Sequence, residues 1–370
     1  MTAPGLEGIL KQELRGLGIV GTTQIAGGVE FSGAIEHVQR INLWSRVASR
    51  VLVRIDEFHA SSFHELERRA KKVDWARFVS PGQPARFRVT CRKSRLYHSD
   101  AVAERLGVAL QRVAPGTLLT GTVSVDEEES EMAGSQLFLA RIADDICTIS
   151  ADSSGELLHR RGYRKAVAKA PLRETLAAAM LMGCEWDPAA PLVDPMCGSG
   201  TIAIEAAMMA RKSAPGLERS FRFEKWPDHD ANLWRSTIDR AREQILPDTK
   251  AAIVASDRDA GAVKAAIENA ARAGVAADID ISEHAVSDAD YPPAEGWIVT
   301  NPPYGMRVGE SAPLRNLYAQ LGHVVRERVR GYRVALLSAD KSLESQLRLD
   351  LREIFRTTNG GIPVRLVSSD

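Results

Sequence analysis

Four consecutive residues, Asn301-Pro302-Pro303-Tyr304, follow the apolar segment 297–300, which is predicted to be a buried strand. The Asn301 side-chain oxygen and the Pro302 carbonyl are two acceptors that could hold both hydrogens of an amino group on an aromatic ring. Such a nitrogen is a poor nucleophile, because its lone pair is delocalised into the ring. The prolines stiffen the loop, and Tyr304 could stack on the ring. We therefore expect methyl transfer driven by positioning and electrostatics, without a strong general base.

A glycine-containing turn is the second candidate site. The segment 194–201 is predicted to join a strand over 192–194 to an apolar helix over 202–210. Glycines let the backbone turn sharply and approach a ligand where a Cβ would collide. The turn lacks the Gly-Lys-Ser/Thr of a phosphate-binding loop. We predict a site for a nucleotide-like cofactor here, with contacts from Asp194, Pro195, Cys197, Gly198, Gly200 and Thr201.

Two further carboxylates follow predicted strands. Asp257 ends the strand predicted over 252–257, where it could accept hydrogen bonds from both hydroxyls of a ribose or could cap the following helix. The ribose role suits NAD and S-adenosylmethionine equally. Asp288 lies after the next predicted strand and could accept from an adenine amino group, with Asp290 as a rival.

Basic residues form two clusters in an otherwise neutral chain of 48 basic and 48 acidic residues, which argues against a uniformly basic nucleic-acid binder. The first contains no acid and comprises Arg86, Arg88, Arg92, Lys93, Arg95 and His98. The second comprises His159, Arg160, Arg161, Arg164 and Lys165. Charge alone fits a solvated face equally well.

The elements that position these residues follow from hydrophobic periodicity. After a break near 150–162, strands alternate with helices, as in a doubly wound parallel sheet. Asn359-Gly360-Gly361 lies between strands predicted over 353–358 and 363–367, a strong hairpin signal. The first half reads as mixed α+β, with the acidic run 126–131 as a hairpin tip. The prediction is an α/β, Rossmann-like domain closed by an antiparallel hairpin.

The composition limits the cellular compartment and the kinds of partner that we expect for the protein. No apolar run approaches the roughly 18 residues of a membrane helix, and the N-terminus does not read as a signal peptide. The four cysteines contain no CxxC pair, which favours reduced thiols over a disulfide framework or a zinc site. We expect a cytoplasmic protein with no metal and no membrane partner.

Taken together, these motifs resemble the THUMP-domain RNA guanine-N2 methyltransferases, especially the branch that acts on large-subunit ribosomal RNA. The matching segments span nearly the whole chain and stand in the family's order: Gly5–Glu7 with Glu13-Leu14, His159–Arg164, Ala170–Thr175, Asp194–Ile202, Pro215–Leu217 with Trp226, and Asn301–Gly305. The resemblance implies a ferredoxin-like piece over 1–55, a THUMP RNA-binding module over 56–155 and a methyltransferase domain over 160–370.

The resemblance also implies S-adenosylmethionine as cofactor and structured RNA as partner, ribosomal RNA first and transfer RNA as the alternative. Candidate phosphate contacts are then Arg92, Lys93, Arg95, Arg160, Arg161, Arg164 and Lys165. Arg173 and Glu174 are candidates to approach the methionine end of the cofactor. Tyr97 and His98 could belong either to the core or to the surface of the module.

Three rival functions remain open at the level of sequence. The Asn-Pro-Pro-Tyr motif alone does not separate guanine N2 from adenine N6, so an adenine-N6 DNA methyltransferase is the first rival. The second is a catalytically silent RNA-binding or ribosome-assembly protein. The third, an NAD-dependent oxidoreductase, would have the glycine turn but no use for Asn301 and its prolines.

Overall fold

A computed structural model describes residues 1–122, 134–164, 172–293, 295–304 and 311–369. The described residues form a two-stranded ribbon, a five-stranded sheet and a seven-stranded sheet. The elements of the first half are α1 (Glu7–Gly16), β1 (Thr23–Ile25), β2 (Gly28–Glu30), α2 (Ile35–Trp44), β3 (Leu52–His59), α3 (Phe63–Ala70), β4 (Ala85–Arg92), α4 (Ser99–Val113), β5 (Leu119–Thr122), β6 (Gln136–Ala143) and β7 (Ile146–Asp152).

The second half alternates strands and helices as predicted. Its elements are α5 (Glu174–Gly183), β8 (Leu192–Asp194), α6 (Thr201–Ala210), α7 (Ala231–Glu243), β9 (Ile253–Asp257), α8 (Ala260–Arg272), β10 (Ile279–Glu283), β11 (Trp297–Thr300), α9 (Ser311–Glu327), β12 (Arg333–Ser338), α10 (Lys341–Leu347), β13 (Arg352–Asn359) and β14 (Ile362–Ser368).

The seven-stranded sheet has the order β10-β9-β8-β11-β12-β14-β13. The strands from β10 to β12 are parallel, and β14 pairs antiparallel with both β12 and β13. This confirms the predicted parallel sheet closed by an antiparallel hairpin. The chain starts at β8, moves outward to β9 and β10, and returns to β11 on the other side. The strand order therefore reverses between β8 and β11, the place where open α/β sheets bind ligands beyond the carboxyl ends of their strands.

The five-stranded sheet has the order β3-β7-β6-β4-β5, with β4 parallel to both β5 and β6 and the other pairs antiparallel. One face packs on α3 and α4 around Trp75, Phe87 and Phe138, whose rings meet edge-on or stacked. The N-terminal segment packs on the C-terminal hairpin, where Gly5 lies directly against the Arg356 carbonyl. The two halves therefore share a packed interface.

Several sequence expectations shift in the structure. β7 continues to Asp152, inside the stretch predicted to be a break, and β7, α7 and α10 were not anticipated. The acidic run 126–131 lies outside the described residues. Within the described ranges, no helix combines the length and apolar character that a membrane crossing requires, and no three His, Cys, Asp or Glu side chains are grouped to hold a metal.

Candidate active site

The three predicted motifs meet at one edge of the seven-stranded sheet. Asp257 ends β9, Asp194 ends β8 and Asn301 follows β11, and these three strands are consecutive in the sheet. Parallel strands carry their carboxyl ends to the same edge, so residues distant in sequence become neighbours. β8 and β11 are buried along their whole length, as near-continuous apolar runs in a covered parallel sheet should be.

The glycine turn needs its glycines for two different reasons. Gly200 has φ +82°, and a Cβ built there would lie 3.0 Å from the Ala266 Cβ of α8. Gly198 also has a left-handed backbone, with φ +52°, but a Cβ there would meet no heavy atom within 4 Å. Gly200 therefore lets α6 and α8 pack closely, whereas Gly198 faces open space. A ligand could approach the backbone at Gly198.

Asp257 braces this turn from the neighbouring strand. One of its carboxylate oxygens accepts from the Gly198 N–H at 2.9 Å, and the other accepts from the Asp259 N–H at 3.0 Å. The helix-capping role belongs to Asp259, whose side chain accepts from Ala262 at the start of α8. Each oxygen of a carboxylate can accept a second hydrogen bond, so Asp257 keeps capacity for ligand hydroxyls.

Asp194 lies beneath the turn and is 1% exposed. Its carboxylate accepts from the Thr300 hydroxyl at 2.7 Å and from the Met196 N–H at 3.3 Å. Burial raises the pKa of Asp194 to about 7, and the nearby charge of Asp257 acts in the same direction. Pro195 is also buried. The structure thus places Asp194 as an internal link between two strands.

Cys197 is a buried thiol inside the turn. Its backbone N–H donates to the Ser256 carbonyl at 2.9 Å, which ties the turn to β9. Burial raises the pKa of the Cys197 thiol, and the carboxylates of Asp194 and Asp257 raise it further. These shifts favour the neutral thiol over the nucleophilic thiolate.

The loop after β11 carries the predicted acceptors. Pro302 is buried, Pro303 is exposed, and Asn301 and Tyr304 are half-buried. The Tyr304 hydroxyl donates to the Asn301 side-chain oxygen, which leaves that oxygen one further lone pair for an incoming amino group. Burial raises the pKa of Tyr304, partly offset by a hydrogen bond with Asn359. The hydroxyl therefore stays protonated and is not a base. Gly305, the last residue of the quoted motif, lies outside the described residues.

Arg164, which the sequence predicts to contact RNA, turns its guanidinium inward in the structure. It donates to the Thr201 hydroxyl at 2.6 Å and to the Leu172 carbonyl at 2.8 Å. Its Nε lies 3.5 Å from the Glu174 carboxylate, at the start of α5. Thr201 is the first residue of α6, so Arg164 holds the glycine turn to α5. Lys165, next in the chain, lies outside the described residues.

Glu174 is a buried carboxylate with one oxygen that accepts no hydrogen bond from the described residues. It is 3% exposed, and burial raises its pKa although Arg164 opposes the shift. Its Oε2 has no hydrogen-bond partner among the described residues. A buried acceptor without a donor costs free energy unless a ligand supplies one, and a cationic amine would satisfy this one best.

Arg161, also predicted from the sequence to contact RNA, is 4% exposed, and its guanidinium makes internal contacts. Its guanidinium donates to the carbonyls of Leu158 and Arg46, both at 2.6 Å, and lies 3.4 Å from Glu205 on α6. Arg46 also donates to the Ser213 carbonyl at 2.6 Å. These contacts join the N-terminal region to the helix that follows the glycine turn.

The remaining predicted contacts are surface residues. Arg92, Lys93 and Arg95 are exposed at the end of β4, and Arg160 is half-buried. Asp288 and Asp290 are both exposed after β10, and Asp288 accepts from the Ser287 hydroxyl at 3.0 Å. The structure thus brings the glycine turn, Asp257 and Asn301 to one edge of the sheet. Thr300 was missed, because a threonine that ends an apolar strand gives no distinctive sequence signal.

Comparison with known families agrees with this architecture. The family model described as UPF0020, RMKL-like methyltransferase domain, matches residues 161–368, and the model described as RlmL ferredoxin-like domain matches residues 1–52. A Synechocystis sp. protein whose name describes an RNA methyltransferase is 36% identical over 366 residues, 99% of this chain and 94% of the relative.

Longer relatives and a solved structure give the same picture. The chain is 36% identical over 393 residues to the ribosomal RNA large subunit methyltransferase K/L of Syntrophotalea carbinolica, covering 100% of this chain and 53% of the relative. It spans about half the length of the K/L relatives it matches. The crystal structure of SMU.472 complexed with SAH superposes with a TM-score of 0.86 at 29% identity, covering 100% of this chain and 96% of that one.

Proposed function

This chain belongs to the UPF0020 family of RMKL-like methyltransferase domains, and from that premise we propose that it methylates the exocyclic N2 amino group of a guanine in RNA. S-adenosylmethionine is the methyl donor, and large-subunit ribosomal RNA is the first substrate to consider. The observation that carries the proposal is the position of Asn301, which follows β11 beside the glycine turn at the point where the strand order reverses.

The chain's own residues account for the chemistry of the acceptor. Asn301 takes one amino hydrogen on its free lone pair, and the Pro302 carbonyl takes the other. Tyr304 is neutral and offers a ring face for stacking the extruded base. When bound, the cofactor supplies an electrophilic methyl group on a sulfonium. The protein's part is to hold the nitrogen in line and to stabilise the charge that develops there.

Residues around the turn fit the cofactor. Open space in front of Gly198 leaves room for its backbone approach, and Asp257 retains acceptor capacity for ribose hydroxyls. The unpartnered Oε2 of Glu174 suits an α-ammonium group, as the methionine end would present. Asp288, with Asp290 as its rival, is the proposed contact for the adenine amino group.

We further propose that residues 1–55 form the ferredoxin-like piece, 56–155 a THUMP module that binds structured RNA, and 160–370 the methyltransferase domain. The proposed phosphate contacts of the chain are Arg92, Lys93, Arg95 and Arg160, since Arg161 and Arg164 are internal. A cytoplasmic setting is proposed because all four cysteines are free thiols.

Transfer RNA is the alternative substrate within the same chemistry. An adenine-N6 DNA methyltransferase would use the same Asn301 geometry, and a silent RNA-binding protein would have no need for it. The deciding experiment incubates the purified protein with labelled S-adenosylmethionine and unmodified ribosomal RNA, transfer RNA or DNA, followed by nucleoside mass analysis. We expect N2-methylguanosine in one RNA, whereas N6-methyladenine in DNA would overturn the proposal that the substrate is RNA.

The matched variant is Asn301→Ala. It should abolish methylation while calorimetry shows unchanged binding of S-adenosylhomocysteine, because Asn301 acts on the acceptor base. Undiminished methylation by this variant would show that Asn301 is not the acceptor of the amino hydrogens. Absence of label from every substrate with the unsubstituted protein would favour the silent binding protein.

A further inference from the structure

We propose that Tyr97 and His98 form a stacking platform for an unpaired base of the RNA, an inference that rests on the proposed RNA substrate. Tyr97 is 69% exposed, and His98 is exposed beside it. Their ring centroids lie 4.1 Å apart with 40° between the planes. The pair therefore presents aromatic faces to solvent, although large aromatic side chains usually lie largely buried.

Hydrogen bonds join the loop that carries this pair to the turn between β6 and β7. The Ser94 hydroxyl donates to the Arg92 carbonyl at 2.9 Å, and the Arg95 N–H donates to the Asp145 carboxylate at 2.8 Å. The Asp145 N–H in turn donates to the Ser94 hydroxyl at 3.1 Å. Leu96, directly before the pair, is buried at 4% exposure and anchors the loop in the core. These contacts hold the loop backbone on the N-terminal side of the rings, which reduces the ordering that binding must supply.

The charges around the platform suit a nucleic-acid strand. Arg92, Lys93 and Arg95 are exposed on the same loop, and the Arg95 side chain is 78% exposed. The facing turn between β6 and β7 contributes two carboxylates, Asp144 and Asp145, of which Asp145 already accepts from the loop. Asp100, exposed in the first turn of α4, is a third carboxylate near the pair, so the charges there balance in number. The three exposed cations of the loop are the groups that can meet the phosphates flanking a stacked base.

An unpaired base fits this surface better than a duplex does. Bases inside a helix already stack on each other and show only their edges, whereas single-stranded bases can be splayed onto Tyr or His. Stacking does not depend on base identity, because every base has a π-face. The platform therefore contributes affinity for a single-stranded loop or end of the RNA.

The test measures binding of two labelled probes, a short single-stranded oligouridylate and an RNA duplex of equal length, by fluorescence anisotropy. The variants are Tyr97→Ala, Tyr97→Phe and His98→Ala, with Val20→Ala as control, because Val20 is 81% exposed and lies in the first region of the chain. Thermal melting of each variant checks that the fold is intact.

We expect Tyr97→Ala to weaken oligouridylate binding by about tenfold, equivalent to about 1.4 kcal/mol, and to leave duplex binding unchanged. His98→Ala should weaken the same probe, whereas Tyr97→Phe and Val20→Ala should bind it like the unsubstituted protein. An equal loss of affinity for both probes, or no loss of affinity with Tyr97→Ala, would overturn the stacking platform and leave the proposed RNA substrate standing. If the unsubstituted protein bound neither probe, the proposed RNA substrate and the platform would both fail.

Discussion

The Thr300 hydroxyl donates a hydrogen bond to the Asp194 carboxylate over 2.7 Å, and both residues are buried. Asp194 ends the strand that leads into the glycine turn, and Thr300 ends the strand that leads to Asn301. The bond therefore joins the proposed cofactor site to the proposed catalytic loop. It fixes their separation before any ligand arrives, as a preorganised site requires.

Replacing Thr300 should weaken this link in a measurable way. Thr300→Val removes one of the two donors to the buried Asp194 oxygen but keeps the shape, and loss of that hydrogen bond should cost about 1 kcal/mol. Thr300→Ser keeps the hydroxyl and should lose much less. Urea unfolding compares the two variants, and calorimetry should show weaker S-adenosylhomocysteine binding by the valine variant. Equal stability of the two variants would show that the hydrogen bond does not hold the strands.

The raised pKa of Asp194 predicts a pH dependence of stability. With a pKa of about 7 in the folded protein and about 3.9 in the unfolded chain, folding favours the protonated carboxyl. The folded state then binds more protons between about pH 4 and pH 7, so this group's stabilisation falls as pH rises through that window. Asp194→Asn removes the dependence.

The measurement is the difference in unfolding free energy between the unsubstituted protein and Asp194→Asn across that range. Relative to the variant, the unsubstituted protein should lose up to about 1.4 kcal/mol per pH unit as pH rises. Glu13 and Asp152, whose pKa values burial also raises, are present in both proteins and cancel in the difference. A pH-independent difference would contradict a pKa raised by burial.

Local sequence was sufficient for the parts of the site that depend on strand ends. Asn301, Asp194 and Asp257 each lie directly after or at the end of an apolar run, and parallel pairing then brings these strand ends to one edge. The prediction for this sheet held because periodicity and turn residues agreed along the second half. In the first half β7 was missed, although it pairs with both β3 and β6.

The basic cluster that begins at His159 shows why the rest was not predictable. In sequence it is a run of cations, which usually marks a solvated or nucleic-acid-binding face. In the structure Arg161 and Arg164 point inward because Glu205, Glu174 and backbone carbonyls from distant segments satisfy them. Partners that are supplied by tertiary packing leave no trace in the local pattern.

Two substitutions of Tyr304 should distinguish the contribution of ring stacking from that of its hydroxyl hydrogen bond at the catalytic loop. Tyr304→Phe keeps the ring and releases the Asn301 oxygen from the tyrosine hydroxyl, so methylation should continue at a similar rate. Tyr304→Ala removes the ring, at an expected loss of about 1–3 kcal/mol in transition-state stabilisation, or roughly 5- to 150-fold in kcat/KM. Steady-state kinetics with the unmodified RNA substrate measures kcat/KM for both variants. A phenylalanine variant as impaired as the alanine variant would assign the role to the hydroxyl.

Arg161 and Arg95 should behave in opposite ways although both lie in basic clusters. Arg161→Ala leaves the buried carboxylate of Glu205 without this partner and two carbonyls without donors, so the unfolding free energy should fall by about 3–5 kcal/mol. Arg95→Ala, at an exposed side chain, should leave stability unchanged and weaken RNA binding. Losing one phosphate contact should also lower the slope of log affinity against log salt by about one. Chemical denaturation and RNA titrations over a range of salt concentrations measure the two effects.

The opposite outcome would be an Arg161→Ala protein that stays stable and shows a reduced salt slope. Arg161 would then be a phosphate contact, because an internal residue can change the salt dependence of RNA binding only by changing the fold.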